Sequence, residues 1–188
     1  MCTNKTIIGF ILCFSFLVVL TACGGPIKIG DSVTPKFLRN NIHTQQQKEE
    51  LKASYANWTD PGVGHVIIPV NTPVTVLTVR RDLTIVTQDT NKTIYFEFDE
   101  ARMGMSNVQY INLITSPQPV NLDKLSAVDL KGIKEGKAYT GMTKEGIRIA
   151  LGYPAVHATP SLDSNTWRYW TNRWRSFMVE FDQTGKVK

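Results

Sequence analysis

The chain has 188 residues and a formal net charge of +5, from 21 Lys and Arg against 16 Asp and Glu. Hydrophobic residues make up 42% and charged residues 20%, which is typical of globular rather than disordered proteins. No long run of Lys and Arg forms a basic footprint, so the composition argues against nucleic-acid binding. The length suits one medium domain or two small ones.

The three cysteines all lie near the N-terminus, at Cys2, Cys13 and Cys23. The rest of the chain therefore offers no thiol for a disulfide, a nucleophile or a metal ligand. We expect the folded part to depend on its hydrophobic core, for which about 160 residues are sufficient.

The first 22 residues have the pattern of an export signal. Lys5 supplies a positive charge, and residues 7–20 form an apolar run of 14 residues. An ordinary transmembrane helix needs about 20 residues, whereas this length fits the apolar region of a signal peptide. We interpret residues 1–22 as the signal peptide.

The string Leu-Thr-Ala-Cys at residues 20–23 resembles the bacterial lipobox. The resemblance implies cleavage before Cys23, lipidation of its sulfur and attachment to a membrane through the acyl chains. By analogy with the sorting rule of Gram-negative lipoproteins, Gly24 in place of Asp favours the outer membrane. The alternatives are a plain signal peptide cut elsewhere and an uncleaved anchor.

Residues 23–60 are interpreted as a tether with local helix. Glycine and proline at its start oppose regular structure, and the stretch HTQQQKEELKASYANW is polar and helix-permissive with a thin apolar face. We expect a flexible or loosely docked segment that holds the folded body away from the lipid surface.

Residues 61–120 form a β-rich segment in this interpretation. Runs of Val, Ile, Thr and aromatic residues predict strands at 65–69, 74–80, 83–88 and 93–98. Turns are expected at Arg81-Asp82 and at Asp89-Thr90-Asn91. The pattern, IIPVNTPVTVLTV in particular, is similar to bacterial Src-homology-3-like domains, which implies a small antiparallel barrel. A short helix plus a strand are expected between Ala101 and Leu113.

Residues 121–188 predict two helices followed by three strands. The first helix covers Leu122 to Ile133, and the second covers 144–151 with Thr143 as its N-cap and Gly152 as its stop. Strands are expected at 166–170 and 177–181. A tight turn at 182–185 then leads into a third strand that begins at 186.

The order of motifs in this last stretch resembles the BamE-like family, also called SmpA/OmlA, of outer-membrane lipoproteins. The matching residues are Gly141, Met142, Thr143, Lys144, Ile147, Ala150, Leu151, Gly152, Pro154, Thr166, Trp167, Tyr169, Phe181, Asp182, Gly185 and Val187. The resemblance covers residues 121–188 and implies two helices packed on a three-stranded antiparallel sheet. It also implies a place in the β-barrel assembly machinery. The whole chain is therefore predicted to be α+β, with a small barrel-like segment before this module.

The sequence shows no pattern typical of an enzyme or a metal site. The histidines, His43, His65 and His157, lack metal-binding spacing and a cysteine partner, and neither a GxSxG elbow nor a P-loop occurs. We expect no catalytic residues, no cofactor and no bound metal.

A cluster of Arg and Trp residues is the candidate binding surface: Arg168, Trp170, Arg173, Trp174 and Arg175. Strand alternation places Arg168 and Trp170 opposite the core face, and 171–175 are expected at a hairpin tip. Trp and Arg are common interface hot spots, and Arg beside Trp can hold lipid phosphates. In the alternative interpretation, Trp170 and Trp174 pack on the β-rich segment.

The sequence therefore favours a non-enzymatic envelope lipoprotein that faces the periplasm from the outer membrane and binds a protein partner, with a link to outer-membrane protein assembly. One alternative is a lipoprotein that binds peptidoglycan or another envelope polymer, through an aromatic groove formed by Tyr95, Tyr110 and their neighbours. Another is an inhibitor of a periplasmic enzyme, since β-lactamase inhibitor proteins share the fold of the BamE-like module.

Overall fold

A computed structural model describes residues 27–28, 36–78 and 83–188. Its strands are β1 (Ile27–Lys28), β2 (Lys36–Leu38), β3 (Ile42–Gln47), β4 (Glu50–Ser54), β5 (His65–Ile68), β6 (Pro73–Thr78), β7 (Leu83–Thr87), β8 (Thr93–Glu97), β9 (Thr115–Ser116), β10 (Thr166–Asn172) and β11 (Arg175–Glu180). Its helices are α1 (Glu100–Met103), α2 (Asn107–Ile114), α3 (Ala127–Glu135) and α4 (Lys144–Leu151). The signal, Cys23 and the expected turn at Arg81-Asp82 lie outside the described residues.

Nine strands form one curled mixed sheet, and β10 and β11 form a separate hairpin. The large sheet has the order β5-β3-β4-β8-β7-β6-β2-β9, with β1 beside β6. The pair β4 and β8 is parallel, whereas the other neighbouring pairs are antiparallel. The predicted α+β class is confirmed, because the described residues form both helices and a mainly antiparallel sheet.

The four strands expected in the β-rich segment are confirmed as β5 to β8. In β8, Ile94 and Phe96 are buried while Tyr95 and Glu97 are exposed, as the period-two pattern predicts. The sheet is nevertheless larger than a four- or five-stranded antiparallel barrel. It takes up strands that precede residue 61, it contains a parallel pair, and among the described strands β5 and β9 stand at its two ends without closing it.

The predicted tether is wrong within residues 36–54, which contain β2, β3 and β4, and the last two strands replace the local helix expected from residue 43 onward. The alternation in β4 explains the strand, because Leu51 and Ala53 are buried while Glu50 and Lys52 face solvent. Lys48 adopts a positive φ of 58° in the turn between β3 and β4. Gln, Lys and Glu favour helices in isolation, but pairing and burial override that weak preference.

Residues 99–116 form two capped helices and the short strand β9, rather than one helix and one strand within 101–113. Asp99 caps α1, and Ser106 caps α2 through a reciprocal bond with Gln109. Tyr110, Ile111 and Ile114 from α2 join the hydrophobic core of the large sheet.

The second predicted C-terminal helix is confirmed as α4, whereas the first, α3, begins at Ala127 rather than at Leu122, because Ser126 caps it. Gly136 ends α3 in a left-handed conformation, and Thr143 caps α4 by accepting a hydrogen bond from Gly146 N at 3.0 Å. Trp167 and Tyr169 of β10 are buried against these helices, as expected of a core face.

The predicted third strand is not formed in the described residues. Residues 186 and 187 make only isolated bridges, Lys186 with Thr143 and Val187 with Phe181. The turn before them is confirmed, with Gly185 N donating to Asp182 O at 3.1 Å.

The large sheet and the C-terminal helices are joined by buried polar side chains. Asn41 donates through Nδ2 to Ile133 O at 2.7 Å and to Ala150 O at 3.3 Å, and its Oδ1 accepts from Val70 N at 2.9 Å. His43 Nε2 lies 2.9 Å from the same carbonyl of Ala150. Buried polar groups require partners, so these bonds fix how the helices meet the sheet.

Across the described ranges, no helix is long and apolar enough to cross a membrane.

Candidate binding groove

The Arg/Trp residues lie on the β10–β11 hairpin, and the tip of that hairpin is shaped by Asn172. Asn172 Oδ1 accepts hydrogen bonds from Trp174 N at 3.0 Å and Arg175 N at 3.1 Å. Such a bond from an Asn side chain to backbone two residues on is a typical turn device. It presents Trp174 to solvent with 87% of its surface exposed.

Trp170 does not belong to this exposed tip. It is half-buried, packs beside the core of the large sheet and lies 5.4 Å from the ring of His157. Its backbone carbonyl accepts a hydrogen bond from Thr59 N at 2.9 Å. The alternative interpretation, in which both tryptophans pack on the β-rich segment, is therefore confirmed for Trp170 and wrong for Trp174.

An open groove with a volume of about 890 Å³ lies beside the hairpin tip. Adjacent strands β3, β4 and β8 supply its floor, and Lys52 is directly paired with Gln45 on one side and with Tyr95 on the other. The residues that line it are Gln45, Gln47, Glu50, Lys52, Ala53, Trp58, Pro61, Tyr95, Phe96, Glu97, Asn172, Arg173 and Trp174.

Arg173 ties the hairpin tip to the floor of the groove. Its Nη2 lies 3.2 Å from Glu97 Oε1, and its guanidinium lies 5.8 Å from the ring centroid of Trp58. Both members of the ion pair are more than half exposed, so the pair contributes at most about 1 kcal/mol to folding. Its effect is to hold the Arg173 side chain between Glu97 of β8 and Trp58.

The structure brings only part of the predicted cluster together. Arg173 and Trp174 line the groove, whereas Arg168, Trp170 and Arg175 do not. Arg168 and Arg175 have exposed side chains elsewhere on the hairpin. Sequence reasoning missed Trp58 and Glu97, because Trp58 was assigned to the tether and Glu97 was considered only as a strand residue.

The aromatic groove expected from Tyr95 and Tyr110 is half right. Tyr95 is 38% exposed and lines the groove, but Tyr110 is fully buried. Tyr110 packs on Phe96 and Phe98 inside the sheet core, and burial raises the pKa of its hydroxyl. A helix that docks on the sheet turns this tyrosine inward, which the sequence alone did not indicate.

Two of the three histidines meet away from the groove. His43 Nδ1 and His65 Nε2 are 3.1 Å apart. Burial lowers the pKa of His43 to about 4, and it also lowers that of His65. In residues 36–78 and 83–188, no group of three or more His, Cys, Asp or Glu could hold a metal ion. The two rings lie on the paired strands β3 and β5, and His43 also contacts Ala150 O of α4 at 2.9 Å, so this histidine links the sheet to a helix.

Comparisons of the chain with protein-family models, with curated proteins and with solved structures gave no match. The BamE-like resemblance therefore stays a prediction from motifs.

Proposed function

We propose that this protein is a non-enzymatic envelope lipoprotein, anchored through Cys23, that binds a protein partner through the groove and the hairpin tip. The observation that carries the proposal is the placement of Trp174. An indole that is 87% exposed is unusual on a monomer surface, and Trp and Arg are the residues most enriched among interface hot spots.

The setting of Trp174 supports a binding role rather than incidental exposure. Asn172 fixes the turn, and Arg173 is held by Glu97 and Trp58. A turn backbone and an arginine that are already ordered lose less conformational entropy on binding, so more of the contact energy appears as affinity. Glu50 and Lys52, which also line the groove, can supply the polar contacts that surround an aromatic anchor such as Trp174.

The proposed setting is the periplasmic face of the outer membrane. It rests on the lipobox and on the residue after Cys23, and the proposed partner class is an outer-membrane assembly factor, from the BamE-like motifs. In this proposal residues 121–188 form the family's helix-and-sheet module, and the curled sheet is an addition that supplies the groove.

The test is crosslinking of the lipidated protein in intact cells, followed by purification and mass spectrometry. Trp174→Ala should lose the envelope proteins that the wild type recovers. Leu162→Ala is the matched control, because Leu162 is 41% exposed and does not line the groove. Equal recovery by both variants would contradict docking at this site.

A second candidate function is binding of an envelope polymer such as peptidoglycan. It is favoured by the aromatic side chains of Trp58, Tyr95 and Trp174, which share the groove with the amides of Gln45 and Gln47. Sedimentation of the intact protein with purified sacculi tests it, with Tyr95→Ala as the variant. Wild-type protein that stays in the supernatant would exclude this function.

A further inference from the structure

Four of the described residues that line the groove are charged, and two of these neutralise each other. Glu97 Oε1 and Arg173 Nη2 are 3.2 Å apart. The other two, Glu50 and Lys52, belong to no ion pair among residues 36–78 and 83–188. Both are exposed, so water compensates their charges in the free protein. The floor therefore offers one carboxylate and one ammonium group to a ligand.

Strand geometry fixes the spacing of these two charges. Glu50 and Lys52 lie two residues apart on β4, and alternate side chains of a strand point to the same face at a distance of about 7 Å. Leu51, which lies between them, points the other way into the core of the large sheet. The negative and the positive charge therefore stand along the floor at the repeat distance of an extended chain.

The aromatic wall of the groove lies beyond Lys52, at the end of the floor that is farther from the β3–β4 turn. Glu97 is paired in register with Ser54, which follows Lys52 by two residues on β4. Arg173 contacts Glu97, and its guanidinium lies 5.8 Å from the ring centroid of Trp58. Along β4 the groove therefore presents a carboxylate, then an ammonium group and then aromatic side chains.

A partner that packs on Trp174 through this groove removes water from both floor charges. A charge that loses its water without a new partner costs free energy, whereas an opposite charge placed beside it offsets that cost. A segment with only one sign of charge matches either Glu50 or Lys52 and leaves the other unmatched. The floor therefore selects against every segment that does not carry both signs in the right order.

We propose that the groove binds an extended segment of the protein partner that has the pattern basic-x-acidic-x-apolar, read in either chain direction. The basic side chain lies beside Glu50, the acidic one beside Lys52, and the apolar one against Trp58 and Trp174. Alternate side chains of an extended segment are about 7 Å apart, which matches the spacing of the floor. This inference rests on the proposed function and names the class of segment that is recognised.

A neutral glycan or a polyanion fits this floor less well than a polypeptide. A neutral glycan brings no charge to compensate Glu50 and Lys52, and a polyanion places like charge beside Glu50. An extended polypeptide supplies both signs at the required repeat distance.

The test uses a library of short peptides displayed on phage and selected on the intact protein. Peptides selected on the wild type should carry the proposed pattern. In the double variant Glu50→Lys with Lys52→Glu, the two floor charges change places and the net charge is kept. This variant should bind the wild-type peptides at least about tenfold more weakly, because two attractions become repulsions. Peptides selected on the variant should carry the order acidic-x-basic-x-apolar.

The matched control exchanges two exposed charges that do not line the groove. Asp123→Lys with Lys124→Glu has the same net charge as the wild type. It should bind the wild-type peptides within about threefold of the wild type, because salt screens charges outside the site. Circular dichroism should report an unchanged fold for both double variants.

The proposed pattern is overturned if no peptide is selected, if the selected peptides lack it, or if the variant with exchanged floor charges binds them as well as the wild type. Crosslinking in intact cells separates this outcome from failure of the proposed function. Partner recovery that depends on Trp174 but not on Glu50 and Lys52 would overturn the pattern and leave the proposed function standing. Recovery that depends on none of the three residues would contradict docking at the groove itself.

Discussion

Asp129 Oδ1 accepts a hydrogen bond from the backbone N–H of Thr143 at 2.7 Å, so one buried carboxylate organises the start of both C-terminal helices. The same oxygen lies 3.2 Å from Thr143 Oγ1, and Oδ2 accepts from Ser126 Oγ at 2.7 Å and from Ser126 N at 3.2 Å. Asp129 is fully buried. Its four contacts give Ser126 and Thr143 a role in capping and joining the two helices.

Asp129→Ala should lower the free energy of unfolding by about 2–4 kcal/mol, because it removes a capping interaction and leaves buried donors without an acceptor. Urea denaturation of the purified protein measures the change. Asp163→Ala, at an exposed loop position, is the control and should stay within about 0.5 kcal/mol. A small effect of Asp129→Ala would show that the shared carboxylate does not hold the helices.

Gly146→Ala should also destabilise the protein, against the usual trend in helices. Alanine in place of glycine normally stabilises a helix interior by about 1 kcal/mol. Here a Cβ on Gly146 would lie 2.0 Å from Asp129 Oδ1 and 2.9 Å from Asp129 Cβ. We expect a loss of about 2 kcal/mol or more. Thermal unfolding beside the exposed control Lys134→Ala provides the measurement, and a raised Tm for Gly146→Ala would contradict this packing.

Acid should weaken the joint between the sheet and the helices through His43. Its pKa falls from 6.5 to about 4 on folding, so the unfolded chain binds the proton more tightly. Stability is then fully present above pH 6.5 and is lost as the pH falls toward 4, by about 3 kcal/mol at most. Unfolding measured from pH 7 to pH 4 tests this, and His43→Gln should flatten the profile over that range.

Substitution of Arg173 should weaken partner binding much more than it changes the free energy of unfolding. Its ion pair with Glu97 is exposed, so Arg173→Ala should change the free energy of unfolding by no more than about 1 kcal/mol. Partner recovery should fall much further, because the tip loses its connection to Glu97 and Trp58. Arg168→Ala is the control, because Arg168 is an exposed arginine of the same hairpin that does not line the groove. If both variants recover the partner equally, Arg173 has no special role.

The sequence correctly predicted those helices and strands for which several local signals indicate the same element. In α4, the Thr143 cap, the apolar spacing and Gly152 all indicate the same helix, and the alternation in β8 indicates its buried face. The prediction for residues 43–54 was wrong because their composition favours a helix, whereas they form the β3–β4 hairpin, whose outer edges pair with β5 and β8. Pairing between strands and burial decide the structure of this segment, and local preference does not report them.

The sequence predicted only part of the candidate site, because the rest of the groove also depends on pairing between strands. Arg173 and Trp174 follow from an Arg/Trp hairpin, but the opposite wall of the groove comes from Trp58 and the floor from β3, β4 and β8. The parallel pairing of β4 with β8 brings Lys52 beside Tyr95. No spacing within the sequence indicates that neighbourhood.

The central claim is that Trp174 contacts a protein partner in the envelope. A photoreactive phenylalanine analogue placed at position 174 of the lipidated protein tests this in intact cells, with the same analogue at position 162 as the control. The proposal predicts a crosslinked protein product from position 174, identified by mass spectrometry as an outer-membrane assembly component, and none from position 162. Crosslinks from position 174 to cell-wall glycan alone, or to nothing, would contradict it.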